Sequence, residues 1–355
     1  MQYFTYDVSP ARVLFGAGRL ADVGTELERL GAKCALIITT PEQQAQGHAL
    51  ARQIGSLAGA VFDGATMHTP TEVTAAALAI VQARRCDALV AVGGGSAIGL
   101  SKALTLRARL PQIAIPTTYA GSEVTPILGE TAAGVKKTRR SPLLLPQVVI
   151  YDVELTLSLP PLMSAGSGLN AIAHAAEALY ARDANPIISL MAEEGITALA
   201  RSLPAVVRQP GDLDARADAQ YGAWLCGVCL GTVGMALHHK LCHVLGGTFD
   251  LPHAQTHAVV LSHAIAYNAR AAPGAISRLR RALGGGQEPW LQLHDMVRQL
   301  GLPTSLKALG MPKGGLERAL ELVLTDGYWN PRPMEAEPLR QLLRRAFDGS
   351  APHND

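Results

Sequence analysis

Cysteine is scarce in this sequence, five residues in 355, and the number is odd. That excludes a disulfide-built scaffold and fits reduced thiols in a cytoplasm. Cys226 and Cys229 form a C-x-x-C, but they lie in the apolar stretch YGAWLCGVCLGTVGM with no second pair, and they read as two small core residues of a helix. An excess of either charge is also missing. Thirty-one Lys and Arg against 29 Asp and Glu leave a formal +2, evenly spread, which argues against nucleic acid or an anionic membrane as partner. No apolar run approaches the ~20 residues that span a bilayer. The first residues, MQYFTYDVSPARVLF, lack the basic start, apolar middle and small-residue cleavage site of a secretory leader. These absences leave a cytoplasmic location as the expectation.

What the chain does contain is apolar residue, 48% against 17% charged. That suffices for a large core, and the length suits roughly two domains of ~150 residues each. CALIITT (34–40), DALVAVGGG (87–95), QIAIPTT (112–118) and QVVIYD (147–152) read as strands buried on both faces, with AVFDGAT (60–66) a weaker fifth. Helical patterns at 18–30, 42–58, 71–85 and 96–108 lie between them, and the alternation implies a mostly parallel sheet covered on both sides. After LSLPPLMSAG the pattern changes. Helices are predicted at 166–183, 187–207, 213–232, 234–247, 254–271, 288–300, 314–324 and 335–348, with Pro- and Gly-rich loops separating several of them. The predicted organisation is an α/β domain of dinucleotide-binding type over residues 1–160, with a mostly parallel sheet, followed by an all-α domain over 161–355. Ligands are expected in a cleft between the two.

The stretch DALVAVGGGSAIGLSKALTL is strand, glycines, then helix. Glycines 93–95 permit positive φ and a close backbone approach, and a helix from Ser96 aims its free N–H groups at whatever sits there, which suits a pyrophosphate. A tight turn without a ligand is the plainer alternative. The motif is neither G-x-G-x-x-G nor a Walker A loop. A second turn, IAIPTTYAGSEVTP, gathers Thr117, Thr118, Ser122 and Thr125 at a strand end, where hydroxyls can bond a nucleotide or merely cap helices. The loop IITTPEQ offers Thr39 and Thr40 where many dinucleotide enzymes place an acid, so NADPH is expected to be tolerated as well as NADH.

Six of 11 histidines fall between 238 and 263. Asn170/His174 and His239/His243 are both i, i+4 pairs, each on one helical face, and His253 follows Pro252 at a helix start. His174, His239 and His253 could give three nitrogens to a divalent ion, but Asn170 offers only a neutral oxygen. With no anion in these motifs to offset the ion, no bound metal is expected.

These residues resemble the iron-containing alcohol dehydrogenase family over essentially the full length. The resemblance is carried by GGGS (93–96), PTT (116–118), NAIAH (170–174), HKLCHVLG (239–246) and PH (252–253), with VLFGAG (13–18) and NPRP (330–333) in support. In metal-dependent members an Asp stands at position 170 and joins His174, His239 and His253 around the ion. His243 matches a histidine that is not a ligand and lies beside substrate and nicotinamide. The glycine turn there reads GGGS-x-x-D, whereas this chain has Gly99. The two departures, with TTPEQQ, HHKLCHVLGG, LPHAQTHAVVL and YWNPRP, are similar to one branch of the family. That branch implies a homodimer that reduces an unsaturated oxo-dicarboxylate of aromatic-compound degradation with NADH or NADPH, without a metal. Cofactor contacts are implied at Gly93, Gly94, Gly95, Ser96, Thr117, Thr118 and Lys137.

Elementary chemistry agrees. Reducing an isolated ketone puts full alkoxide charge on one oxygen, where a Lewis acid is most useful. Reducing a conjugated enone yields an enolate, a weaker base that hydrogen-bond donors can stabilise. His243 or His253 is the expected proton donor, with His174 and His239 shaping a polar pocket that Asn170 shares. Two substrate carboxylates need cationic partners, for which Lys240 and Arg332 are the candidates, with Tyr328 as a hydrogen-bond donor. The competing expectations are a metal-dependent alcohol or polyol dehydrogenase and a nucleotide- or metal-binding protein without catalysis.

Overall fold

The structure, a computed structural model, describes Phe4, Tyr6, residues 12–325 and residues 327–354, the side chain of Lys136 excepted. The segment read above for a leader lies mostly outside the described residues. The chain divides into two compact units, the first running from residue 7 to Leu159 and the second from Pro160 onward, with Phe4 and Tyr6 counted in the second.

In the first unit, eight strands are described: β1 (Arg12–Gly16), β2 (Ala35–Ile38), β3 (Ala58–Phe62), β4 (Ala88–Gly93), β5 (Gln112–Pro116), β6 (Ile127–Ala132), β7 (Val135–Arg140) and β8 (Val148–Asp152). Its helices are α1 (Val23–Arg29), α2 (Gln44–Ile54), α3 (Thr71–Arg84) and α4 (Gly95–Ala108). Six strands form a parallel sheet in the order β1-β8-β5-β4-β2-β3. Alternate residues of a strand face opposite sides, and the packing follows that rule. Ile37, Val90, Val92, Ile113 and Ile115 pack with Val23 and Leu27 of α1 and Leu50 and Ile54 of α2. Leu36, Ile38, Leu89 and Ala91 pack on the other face with Ala77 and Val81 of α3 and Ile98 and Leu104 of α4. β2 therefore feeds a helix on one face and β4 a helix on the other. Their carboxyl ends flank the point where the chain parts, the place at which open α/β sheets bind ligands.

The second unit is helical, with no strand among its described residues: α5 (Pro161–Ala178), α6 (Pro186–Arg208), α7 (Leu213–Thr232), α8 (Leu237–Phe249), α9 (His253–Asn268), α10 (Pro273–Ala282), α11 (Pro289–Gln299), α12 (Gly315–Thr325) and α13 (Ala336–Asp348). Leu241, Leu245, Val259, Val260, Leu320, Val323, Leu339 and Leu343 join α8, α9, α12 and α13 in one core. α6 and α7 cross where Gly195 faces Gly222. A Cβ on Gly222 would stand 2.8 Å from the Gly195 carbonyl, so only glycine permits the approach. Cys226 and Cys229 are both buried on α7, Cys226 against Gly195. No single helix among the described residues is long and apolar enough to cross a membrane.

The α/β and all-helical arrangement matches the sequence expectation, with three additions. β1 pairs with β8 at the sheet edge and was not expected, since only Leu14 of its five residues is buried. β6 and β7 form a separate antiparallel hairpin whose outer strand, VKKTRR, carries no apolar alternation. α10 falls between the predicted helices 254–271 and 288–300, where none is expected, although Ala275, Ile276, Leu279 and Ala282 give it a clear buried face.

Candidate active site

In the first unit the glycine turn is bare backbone. Gly93 closes β4 at φ +151°, a region L residues rarely adopt. A Cβ there would stand 2.7 Å from Gln43 Oε1 and 2.9 Å from Ala97 Cβ. Gly94 caps α4 without a side chain to accept from it, and α4 begins at Gly95, one residue before the predicted Ser96. The first bond into this helix is Ile98 N–H to the Gly94 carbonyl, 3.2 Å. The N–H groups of Gly95, Ser96 and Ala97 thus precede the first helical bond, as at any helix start. Gly95 is exposed, with nothing within 4 Å of its would-be Cβ. Three free donors at the positive end of a 14-residue helix suit a phosphate.

The neighbouring turn supports this one. Gly93 lies opposite Pro116 in the sheet. Thr117 N–H donates to the Gly93 carbonyl at 3.2 Å, and Gln43 Nε2 donates to Thr117 Oγ1 at 2.8 Å. Thr118 packs on Gly94, where a Cβ would meet it at 3.0 Å. Gln43 was not singled out in the sequence, although TTPEQQ contains it. Thr125 proves internal: its hydroxyl accepts from Lys102 Nζ at 3.0 Å and donates to the Ser122 carbonyl. Lys102, fully buried, also donates to the carbonyls of Ser122, Thr125 and Ile127 and so ties the hydroxyl turn to α4. Burial pulls its ammonium down to about 7, against the pull of the nearby Glu123 carboxylate. Thr39 is buried beneath Gly47, which removes it as a ribose contact. Lys137 is exposed on β7 opposite Glu130. The glycine at 99 also has a physical reason: a Cβ there would stand 2.6 Å from Thr69 Oγ1, so an aspartate cannot enter while Thr69 holds its place.

In the second unit the site is built from side chains. α5 carries Asn170, His174 and Glu177; α8 carries His238, His239, Lys240, Cys242 and His243; α9 carries His253 and His257. The ring centroids of His174 and His239 lie 5.1 Å apart and those of His253 and His257 4.4 Å apart, both pairs tilted, while His239 and His257 meet edge-on at 5.2 Å. The rings divide by exposure. His174, His238, His239 and His257 are buried, while His243 and His253 are exposed.

Glu177 corrects the expectation that no anion lies near these histidines. It is fully buried and accepts from His239 Nδ1 at 2.7 Å, Ala236 N–H at 2.8 Å and His238 N–H at 2.7 Å. The contact fixes the proton of neutral His239 on Nδ1 and leaves Nε2 to face away from Glu177. The sequence signal was present and unread: one acid in the alanine-rich run AIAHAAEAL, three residues after His174 on the same helical face. Burial, then the neighbouring His239 and His253, hold His174 well below the usual imidazole range, and burial does the same for His238 and His257. Five buried atoms in this group lack a hydrogen-bond partner: Asn170 Oδ1, His174 Nδ1, His238 Nδ1, His239 Nε2 and His257 Nε2. Orphaned buried polar atoms call for an explanation, and a catalytic role, a water or an ion is each one.

The candidate cations separate. Lys240 is buried beside the histidines, with its ammonium 6.0 Å from the Tyr328 ring centroid. Burial, and then Glu177, push the Tyr328 phenol up to about 12, so it stays a donor. Arg332 instead stacks at 4.2 Å over Tyr267, donates to the Tyr267 carbonyl, and faces a small cavity lined by His263, Gln341, Arg345 and His353. Asn330 anchors that loop through paired amide bonds with Asn268.

Known proteins agree with these features. Residues 10–153 match the family described as iron-containing alcohol dehydrogenase, and residues 164–347 match its C-terminal family. The chain is 54% identical over 352 residues to a maleylacetate reductase of Rhizobium sp. (strain MTP-10005), covering 99% of this chain and all of that one. It is 54% identical to a maleylacetate reductase of Sphingobium indicum, covering 98% and 99% of the two chains. A crystal structure of maleylacetate reductase from Agrobacterium tumefaciens superposes with a TM-score of 0.97 at 55% identity, over 99% of this chain and 100% of that one.

Proposed function

The chain belongs to the iron-containing alcohol dehydrogenase family and is an oxidoreductase, and from that premise we propose that it reduces maleylacetate to 3-oxoadipate with NADH or NADPH, without a metal ion. The observation that carries the reading is the buried Lys240, in a group with Asn170, His174 and His239, whose Oδ1, Nδ1 and Nε2 have no hydrogen-bond partner. Lys240 and the Asn170 amide N–H suit an oxygen-rich anion, as does His239 once its Nε2 carries a proton.

A metal is implied by the family name, and the donors here match one poorly. The set is an amide and imidazoles with no carboxylate ligand, since both Glu177 oxygens are already engaged by Ala236, His238 and His239. The glycine turn, by contrast, fits a dinucleotide, since its open helix end asks for an anion. The reduced nicotinamide supplies the hydride when bound. Addition to the substrate C=C leaves an enolate, and protonation of its carbon completes the reduction. His239 and the amide of Asn170 would hydrogen-bond the ketone oxygen as charge gathers there. The Glu177 carboxylate compensates the charge if His239 takes a proton. His243 and His253, being exposed, can exchange protons with solvent, and one of them donates to carbon. Lys240 and Tyr328 would hold a carboxylate, in preference to Arg332. A homodimer in the cytoplasm belongs to the same reading, the first supported by the family resemblance and the second by five unbridged cysteines.

Chelation tests it. Metal-stripped protein is expected to oxidise either nicotinamide with maleylacetate at its original kcat. Activity that disappears on stripping and returns with Fe2+ or Zn2+ selects a metal-dependent dehydrogenase, the reading that the Glu177–His239 pair would otherwise favour.

A further inference from the structure

Beside the residues given to the substrate, His238, Cys242 and His257 bring another donor set to one point. His238 and Cys242 stand four residues apart on α8, and His257 reaches them from α9. His238 Nε2 lies 3.0 Å from His257 Nδ1 and 3.7 Å from Cys242 Sγ, and the three ligand atoms all lie within 4.8 Å of one another. All three side chains are buried. We propose that they form a site for a thiophilic d-block cation, Zn2+ or its analogue Co2+, separate from the positions that the family resemblance gives to iron.

Geometry, softness and charge each support this. Zinc–nitrogen bonds of ~2.0–2.1 Å and a zinc–sulfur bond of ~2.3 Å at tetrahedral angles set N···N near ~3.3 Å and N···S near ~3.6 Å. The observed 3.0 and 3.7 Å need only a few tenths of an ångström of adjustment, and the third pair, Cys242 with His257, lies within 4.8 Å. Two imidazoles and a thiolate select such ions over Mg2+ or Ca2+. Burial, and then Glu177, hold the Cys242 thiol protonated without an ion, so the ion must displace that proton, and the thiolate then supplies one negative charge. The Asn170 set has no such thiolate. Hydrogen bonding serves the trio poorly by comparison. One proton at most lies between His238 Nε2 and His257 Nδ1, and a thiol is a weak donor. The inference goes beyond the substrate reading and stands without it.

The test is Co2+ absorption of the metal-stripped full chain. Wild type is expected to give a thiolate-to-cobalt charge-transfer band in the near ultraviolet, with the intense visible bands of a tetrahedral ion. The band should vanish in Cys242→Ser and Cys242→Ala and persist in Asn170→Ala and His174→Gln, with circular dichroism confirming that each variant is folded. Zn2+ should raise the Tm of wild type and not of Cys242→Ser. Absence of the band in wild type overturns the proposal, as does its survival in folded Cys242→Ser.

Discussion

The glycine turn between β4 and α4 presents backbone, and the histidine cluster on α5, α8 and α9 presents side chains. The first works because atoms are missing: no Cβ fits beside Gln43 and Ala97, and no cap residue occupies the helix end. The second works because atoms are present and held. His239 is oriented by Glu177, and Glu177 is itself held by two backbone N–H groups. A backbone site tolerates changes in its surroundings so long as space is kept. A side-chain site depends on partners one layer back, and those partners are where it can be broken most severely.

Glu177→Ala should therefore have the largest effect. It strands two backbone donors and one imidazole donor in a buried space, a loss of ~3–5 kcal/mol in folding stability. It should be read by urea denaturation. Glu177→Gln keeps the shape but sets an amide where only acceptors fit, and kcat should fall ~10–100-fold while nicotinamide affinity is unchanged. An unaltered kcat in Glu177→Gln would erase the distinction between the two regions.

Acid should act next, and on the cluster rather than on the turn. His174, His238 and His257 have pKa values well below 6.5 in the folded chain, and His263 has fallen to about 3, in each case chiefly through burial. A depressed imidazole pKa means the unfolded chain binds protons that the folded one refuses. Stability is then full above the ordinary value of 6.5 and is lost as pH falls below it. Each such group adds up to ~1.4 kcal/mol per pH unit to the slope. Denaturation midpoints between neutral pH and pH ~5 measure it against that ordinary value. A flat profile would mean that these rings are not held neutral. His257→Gln should reduce the slope by one proton.

Lys240→Met sharpens the assignment within the cluster. If the ammonium holds a substrate carboxylate in the ground state, KM for maleylacetate should rise ~10–100-fold with a smaller change in kcat. Arg332→Ala should change KM less, since Arg332 is committed to Tyr267. A reversal of that order would return Arg332 to the substrate.

The two regions also differ in what sequence reasoning could see. The glycine turn is local, and nine consecutive residues, DALVAVGGG, contain its strand, its turn and the start of its helix. The central strands were visible for the same reason, each being buried on both faces. β1 and the β6–β7 hairpin were not, because one lies at a sheet edge and the other carries charge where alternation would show. The cluster was visible only in part. Spacing along helices marked His174, His239 and His243, but Glu177 and His257 gain their meaning from helices packed across the unit. Nothing in a run of alanines says which backbone N–H groups a glutamate will meet.

Gly93→Ala probes the turn alone and should have the mildest effect. An L residue at φ +151° costs ~1–3 kcal/mol, and the new methyl must displace Gln43 Oε1 and press on Ala97. Gln43 is flexible and can yield, which loosens its bond to Thr117. Ala97 belongs to the first turn of α4, so pressure there tilts the three free N–H groups away from a phosphate. Nicotinamide Kd should weaken ~10-fold, about 1.4 kcal/mol, as read by fluorescence titration. At saturating nicotinamide, kcat should remain within about twofold of wild type, because no group in the histidine cluster is touched. A variant that binds nicotinamide normally but turns over slowly would show that the turn does not seat the pyrophosphate.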